Sequence, residues 1–395
     1  MSTISMIFRT GMTAAVALAA VAGAAEAGGF SRGEADTDIL YEDGNAVLRA
    51  KTTFVAPQRG YDTINGLATT DRDHTNNYVV PSLGIMARMS DNLACAGTYT
   101  QPFGASTSYG PDAQTADAAA SMTGNATLAA DFKTHEYGLT CALRTDIETG
   151  RISFLGGVFL QSFDYKEVTR LGTLRLKDDS ELGYRLGAAY EIPDIALRAE
   201  LMYRSQVKHD GNGGFTVSAA GAPVLSLVTG LPIAAGLDLP ATGWGTLPQS
   251  LEFSLQSGIA PGWLAFGSVK WTDWSALPQL NYTITGLGPM VKSFRFRDGW
   301  TVTGGVGHTF TDTVSGAVSL TWDRGVGTGA DIMTDTWTLG IGTGIKAGPG
   351  EFRIGGAVSY LTSGSQIAGP GFADYRATVD GDFAYGANLS YQVKF

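Results

Sequence analysis

The chain has 395 residues, 44% of them hydrophobic and 16% charged, with 27 Lys and Arg against 37 Asp and Glu and a net charge of -10 at pH 7. This composition excludes disordered, collagen-like and coiled-coil classes. The acidic balance lacks the phosphate-neutralising surface of a nucleic-acid binder, so no nucleic-acid partner is expected.

Residues 1–27 read as a cleavable secretory signal: Arg9 supplies the positive charge, residues 12–25 the apolar stretch, and Ala25-Glu26-Ala27 the small-residue cleavage pattern. The apolar run of about 14 residues is too short for a bilayer-spanning helix, which needs ~20. No later stretch is long enough either. An exported β chain is then a soluble sandwich or an outer-membrane barrel, the closed form that satisfies strand hydrogen bonds in lipid.

Residues 28–45 do not alternate cleanly, and two readings stand: a hatch folded into a lumen, or a periplasmic tail. From residue 46 onward period-two alternation predicts strands at 46–57, 78–90, 92–103, 130–145, 150–165, 180–191, 195–208, 247–259, 263–275, 297–308, 313–323, 335–346, 350–361 and 382–395. That makes about 14, an even number as bacterial barrels require, and assigns residues 46–395 to one all-β transmembrane antiparallel barrel. Short connections such as Ser90-Asp91-Asn92, Pro193-Asp194 and Ala260-Pro261-Gly262 are interspersed with long ones at 58–77, 104–129, 209–246 and 362–381. Short turns on one rim and long loops on the other fit the periplasmic and extracellular sides.

Individual strands carry further expectations. Cys95 and Cys141 fall on adjacent strands and one outward face, as a disulfide or as two free thiols. In the strand at 150–165, Leu155, Phe159 and Phe163 alternate with lipid-facing Phe154, Val158 and Leu160. Arg204 and Lys208 are expected near the extracellular rim as solvated charges. The loop 209–246 holds Leu225, Leu227 and Leu231, an apolar surface that either captures a hydrophobic molecule or packs on itself as a cap. Leu264 and Phe266 share a lumen face with Ser268, Lys270 and Thr272, which makes Lys270 a luminal cation by alternation. Such apolar side chains inside a barrel either line a route for a hydrophobic passenger or pack against the hatch. The last strand puts Phe383, Tyr385, Leu389, Tyr391 and Phe395 on one face, and its C-terminal aromatic resembles the assembly signal read by the barrel-assembly machinery.

Enzyme chemistry is not visible. The histidines His74, His135, His209 and His308 are scattered, no nucleophile elbow occurs, and the pairs Asp36/Asp38 and Asp71/Asp73 lack the rest of a calcium loop. No catalytic residue, metal or cofactor is expected.

Several motifs in order and spacing resemble the FadL-type outer-membrane transporters of long-chain fatty acids and other hydrophobic compounds. They are Gly29-Phe30, Tyr203-Arg204-Ser205-Gln206-Val207-Lys208, Leu247-Pro248, Trp271-Thr272-Asp273-Trp274-Ser275, Phe296-Arg297-Asp298-Gly299-Trp300 and the terminal strand from Tyr385 to Phe395. The Asn-Pro-Ala element common in that family is absent here, with only Asn45-Ala46 remaining. The resemblance implies a hatch-plugged 14-stranded barrel in the outer membrane of a Gram-negative bacterium. It implies capture on hydrophobic extracellular loops, passage to an interior pocket and lateral release through a kinked third strand, for which Gly97 and Pro102 are the residues most able to bend. It places Phe30 near the interior pocket and Arg297 opposite a carboxylate. A guanidinium suits that role, although pairing with Asp298 is equally open. The expectation is a monomeric passive channel among outer-membrane lipids for long-chain fatty acids; the alternatives are uptake of neutral alkanes or aromatics, and a polar general porin.

Overall fold

The computed structural model describes residues 28–395, so the expected signal at 1–27 lies outside the described residues. Fourteen antiparallel strands form one closed wall. They are β1 Ala46–Gln58, β2 Tyr78–Ser90, β3 Leu93–Thr100, β4 Thr127–Ile147, β5 Gly150–Thr169, β6 Gly172–Ile192 and β7 Leu197–Arg204. Then follow β8 Ser250–Ala260, β9 Trp263–Thr272, β10 Gly299–Thr309, β11 Val314–Asp323, β12 Thr336–Ala347, β13 Gly350–Leu361 and β14 Asp382–Lys394. Each pairs with the next, and β1 also pairs with β14 from Val47↔Lys394 to Gln58↔Phe383, which removes the sheet edge. Among the described residues no helix is long and apolar enough to cross a membrane.

Burial runs opposite to that of a soluble protein. Leu139, Leu143, Phe154, Leu182, Leu186, Leu339 and Ile341 are exposed on the outer face, while Arg49, Ser153, Arg198, Arg353 and Gln392 are buried inside. A lipid-facing surface with a polar interior produces that inversion. At the upper end of β11 to β14 the ladder partners Trp322, Trp337, Tyr360 and Phe383 form an aromatic row, as at a membrane–water boundary. Cys95 stands opposite Cys141 across β3 and β4, with Cα atoms 4.0 Å apart, and the two are disulfide-bonded.

Three segments depart from the sequence reading. The third strand stops at Thr100 and resumes as Gly104–Ser108, still paired to β4, with Pro102 inside the break. Pro102 cannot donate to a ladder. The strand expected at 195–208 ends at Arg204, and after Ser205-Gln206 the chain continues as a hairpin, Val207–Val217 with Asp238–Leu247, whose first strand pairs with the Gly172–Lys177 end of β6. The two-residue interruption reverses the alternation: Arg198 and Glu200 are buried before it, Val207 and His209 after it. The region 209–246 is therefore largely ordered, and the helix α1 Pro111–Ala120 likewise occupies the loop 104–129. Within 209–246, α2 Gly221–Thr229 buries Leu225 and leaves Leu227 at 86% exposure, and Leu231 just beyond the helix is 64% exposed.

Residues 28–45 lie inside the barrel. Ile39 and Leu40 are fully buried against Met86, Ala94, Ala96, Ala142 and Leu155 of the wall. Around them the acids of this segment meet wall cations. Asp36 pairs with Arg49 at 2.7 Å and Asp38 with Arg198 at 2.6 Å, while Glu34 pairs with Lys270. Glu42 reaches Arg49, Lys394 at 2.7 Å and Arg353 at 3.8 Å.

Candidate functional site

Above this ionic layer the sequence motifs converge. Gly29 has φ 59, and a Cβ there would come within 2.5 Å of the Trp274 indole, so glycine lets the chain turn directly beneath the ring. The turn delivers Phe30 into an aromatic box. Its ring stands edge-on to Phe132 at 5.6 Å, Trp274 at 5.8 Å, Phe294 at 5.4 Å and Phe296 at 5.3 Å between centroids. Edge-to-face contacts each contribute about 0.5–1.5 kcal/mol beyond area burial. Trp274 opens the turn after β9, Phe294 and Phe296 precede β10, and Phe132 belongs to β4.

A cavity of about 1120 Å³ opens beside this box toward the extracellular side, lined by Phe30, Phe132, Phe163, Tyr165, Leu247, Leu280 and Phe294 among others. Its charged lining is mostly acidic: Asp117, Asp131, Glu167, Asp331 and Asp374 against Arg32, Arg59 and Lys292. The bases have partners. Lys292 donates to Glu167 at 2.7 Å, and Arg59 lies 3.6 Å from Asp382 and donates to Thr334 and to the carbonyl oxygen of Thr362. Burial alone would lower the Lys292 ammonium, but Glu167, Tyr165 and Tyr109 hold it well above the usual lysine value. His74, stacked on Tyr61 at 4.3 Å, is pushed down to about 4 by burial and by Arg59, and is neutral at pH 7. Burial raises the Asp331 carboxyl.

Beneath the box lies a charged floor. Glu136, 1% exposed, accepts from Arg204 at 2.7 Å and from Arg185, and both guanidiniums stack on Phe159, with centroid distances of 4.6 and 4.5 Å. Gln161 donates to Glu136 and accepts from His209, which also bonds Asp178 at 2.9 Å. Arg185 Nη1 and Arg204 Nε are buried with no acceptor among the described residues. Both arginines face a second cavity of about 340 Å³ that extends down along residues 31–38.

The wall has one gap beside the box. Pairing of β2 with β3 ends at Leu83↔Tyr99, and above it the next link is the isolated bridge Thr75↔Thr107. Into this gap runs the backbone of residues 30–33. Arg32 N–H donates to Pro102 O at 2.9 Å, Gly104 N–H donates to Phe30 O at 2.8 Å, and Ser31 bridges to Phe103.

Of the residues expected at the site, the structure gathers Phe30 and Phe163 at the box and cavity, with Phe159 in the floor beneath; Leu225 belongs to the same buried apolar cluster but lines neither cavity. Leu227 and Leu231 are on the outer surface of the extracellular extension. Leu264 is buried on β9 but lines neither cavity, whereas Phe266 and Lys270 line the lower one. Arg297 corrects the expectation. Phe294 and Phe296 are buried in an irregular run in which Arg295 has φ 51, and Arg297 after them is exposed, its Nε donating to Gly325 O at 2.9 Å. Asp298 accepts from Trp271 Nε1 instead. Arg204 is likewise in the buried floor and not at a solvated rim; only Lys208 is exposed. Sequence reasoning missed Arg185, Glu136 and Lys292. Each has one small signal, a charged residue on a lumen-facing strand position, but only the register across β4, β6 and β7 brings the first two together with Arg204.

Residues 36–315 match the family described as outer membrane protein transport protein (OMPP1/FadL/TodX). No curated protein matches in sequence. Among solved structures, a Pseudomonas aeruginosa FadL homologue superposes with a TM-score of 0.72 at 13% identity, over 90% of this chain and 92% of that one. The Ralstonia pickettii toluene transporter TbuX gives 0.62 at 12% over 96% and 97%, and the Pseudomonas putida toluene transporter TodX gives 0.60 at 12% over 93% and 95%. At such identities the likeness is one of fold. The family match sets aside the enzyme classes and the general porin. The chain belongs to the OMPP1/FadL/TodX family, and is an outer-membrane β-barrel transporter of hydrophobic compounds in a Gram-negative bacterium.

Proposed function

We propose that the cargo is neutral: alkanes, aromatics or similar hydrophobes taken passively from outside into the aromatic cavity and released sideways through the gap between β2 and β3. The observation that carries this is the charge lining the large cavity. Five carboxyl groups face it, and its bases are held by Glu167, by Asp382 and by the Tyr78 ring. A carboxylate there would meet repulsion without a spare cation, whereas each buried methylene contributes about 0.8 kcal/mol whatever the head group. The cavity volume of about 1120 Å³ slightly exceeds the usual range for small-molecule sites, roughly 300–1,000 Å³.

Long-chain fatty acids are the second reading, favoured by the floor. Arg185 and Arg204 share the single carboxylate of Glu136 and keep unaccepted N–H groups next to the lower cavity. A fatty acid lying head-down would bring its carboxylate to them. Equilibrium binding of a C16 alkane, alcohol and acid to delipidated protein separates the two. Equal binding of alkane and alcohol with weaker acid binding supports neutral cargo. Tighter acid binding that Arg185→Ala removes overturns it.

In this proposal residues 1–27 are the cleaved signal, 28–45 the hatch and 46–395 the barrel, with Leu227 and Leu231 as part of the capture surface. Sequencing of the mature N-terminus tests the first boundary, with Gly28 as the expected first residue. The protein works as a monomer, its Phe395 read during assembly. A dimer mass in mild detergent, or normal assembly after Phe395 is deleted, would contradict those two statements.

A further inference from the structure

Residues 30–33 substitute for the missing ladder between β2 and the broken β3, and they are packed tightly in that place. A Cβ on Gly33 would sit 2.7 Å from Val80 Cγ1 and 3.0 Å from Thr100 Oγ1, which belong to the two sides of the gap. Within this filler the Arg32 side chain is the bulky element. Its guanidinium lies 4.1 Å from the centroid of the Tyr78 ring on β2. On the other side it covers Gly104, where a Cβ would be 2.7 Å from Nη1. Arg32 thus spans the opening from one strand to the other, and it lines both the upper and the lower cavity. Among the described residues no carboxylate within ion-pair distance holds it, so an aromatic face and a glycine are its seat.

We infer that Arg32 and Tyr78 form a latch that controls release of cargo through the wall, rate-determining for passage and separate from the box that binds it. The inference rests on the lateral route proposed above. Gly104 is what makes the seat: any side chain there would displace the guanidinium. A cation stacked on a ring is held firmly enough to keep the gap shut, yet it can swing aside without breaking an ion pair. A neutral hydrophobe passing through displaces this side chain together with the filler backbone that carries it, and closure needs no energy source.

The test measures transfer of a labelled C16 alkane from outside into vesicles carrying the full-length protein, beside equilibrium binding of the same alkane. Arg32→Ala and Tyr78→Leu should each raise the transfer rate roughly two- to thirtyfold, the span of cation–π contacts from exposed to desolvated. Arg32 and Tyr78 also line the cavity, so any change in alkane affinity should be smaller than the change in rate, and the double variant should gain no more than the faster single one. Arg32→Lys should fall between wild type and Arg32→Ala. A Gly33→Cys/Val80→Cys pair, with the native disulfide retained, ties the filler to β2. When oxidised it should stop transfer; reduction should restore it, with wild type as control under the same reductant. If both single variants transfer at the wild-type rate, or more slowly, while the cross-link still blocks, the latch is wrong and the route stands. If the oxidised cross-link leaves transfer untouched, the lateral route itself fails.

Discussion

The ring of Phe30 stands edge-on to that of Phe296, with centroids 5.3 Å apart and an interplanar angle of 75°. Two residues distant by most of the chain are thereby joined at the centre of the barrel, and the hatch is fixed from above by aromatic contact and from below by ion pairs. Phe30→Ala should remove four edge-on contacts at once. A Phe→Ala change in a packed interior costs about 3–5 kcal/mol, here charged to hatch docking and not to the barrel. Limited proteolysis should cut residues 28–45 in the variant while the barrel keeps its heat-modifiable migration on gels. An uncut hatch would contradict this account.

Arg297→Ala is expected to leave binding of both alkane and fatty acid within error, since the side chain is exposed and bonded to a backbone carbonyl. Arg185→Ala should weaken only the acid, if the acid binds at all. Calorimetric titration of both ligands against both variants reads the difference directly.

His74 makes one extracellular loop sensitive to acid. Its folded value of about 4 lies below the ordinary histidine value of 6.5, so the fold favours the neutral ring. That stabilisation is fully present above pH 6.5 and is lost progressively as pH falls toward about 4. Amide exchange in residues 59–77 should therefore accelerate across that window. His74→Phe preserves a flat ring between Tyr61 and Tyr109 and should make exchange insensitive to pH there.

Glu42 neutralises more of the wall than any other hatch acid, facing Arg49, Lys394 and Arg353. Glu42→Gln should leave these cations short of a counter-charge. Removing one partner of a buried pair typically costs 3–5 kcal/mol, which predicts a lower thermal midpoint and freer hatch motion. Asp38→Asn, whose acid is half exposed, should cost far less.

The strand count was legible because lipid outside and polar lumen inside stamp a period of two on β1, β13 and β14 alike. What failed was continuity. Residues 172–179 also alternate, with Leu174 and Leu176 buried and Arg175 and Lys177 exposed, but charge on the outer face above the membrane made the segment look like a loop. The exposure of Arg297 was not legible, because it stands in the irregular run before β10, where Arg295 has φ 51 and the strand period does not apply. The floor was not readable. Arg204↔Arg185 is a ladder pair of β7 with β6, and Glu136 joins from β4; no single strand records that register.

The break in the third strand has one more consequence. A hole in a barrel ordinarily strands backbone groups against hydrocarbon, yet here Pro102 O and Gly104 N–H are each satisfied by the hatch. Moving the hatch aside forfeits both bonds, at about 0.5–1.5 kcal/mol each, and restoring it regains them. On the lateral route proposed above, the doorway is sprung: shut is the ground state, and each opening is a brief excursion that these bonds reverse.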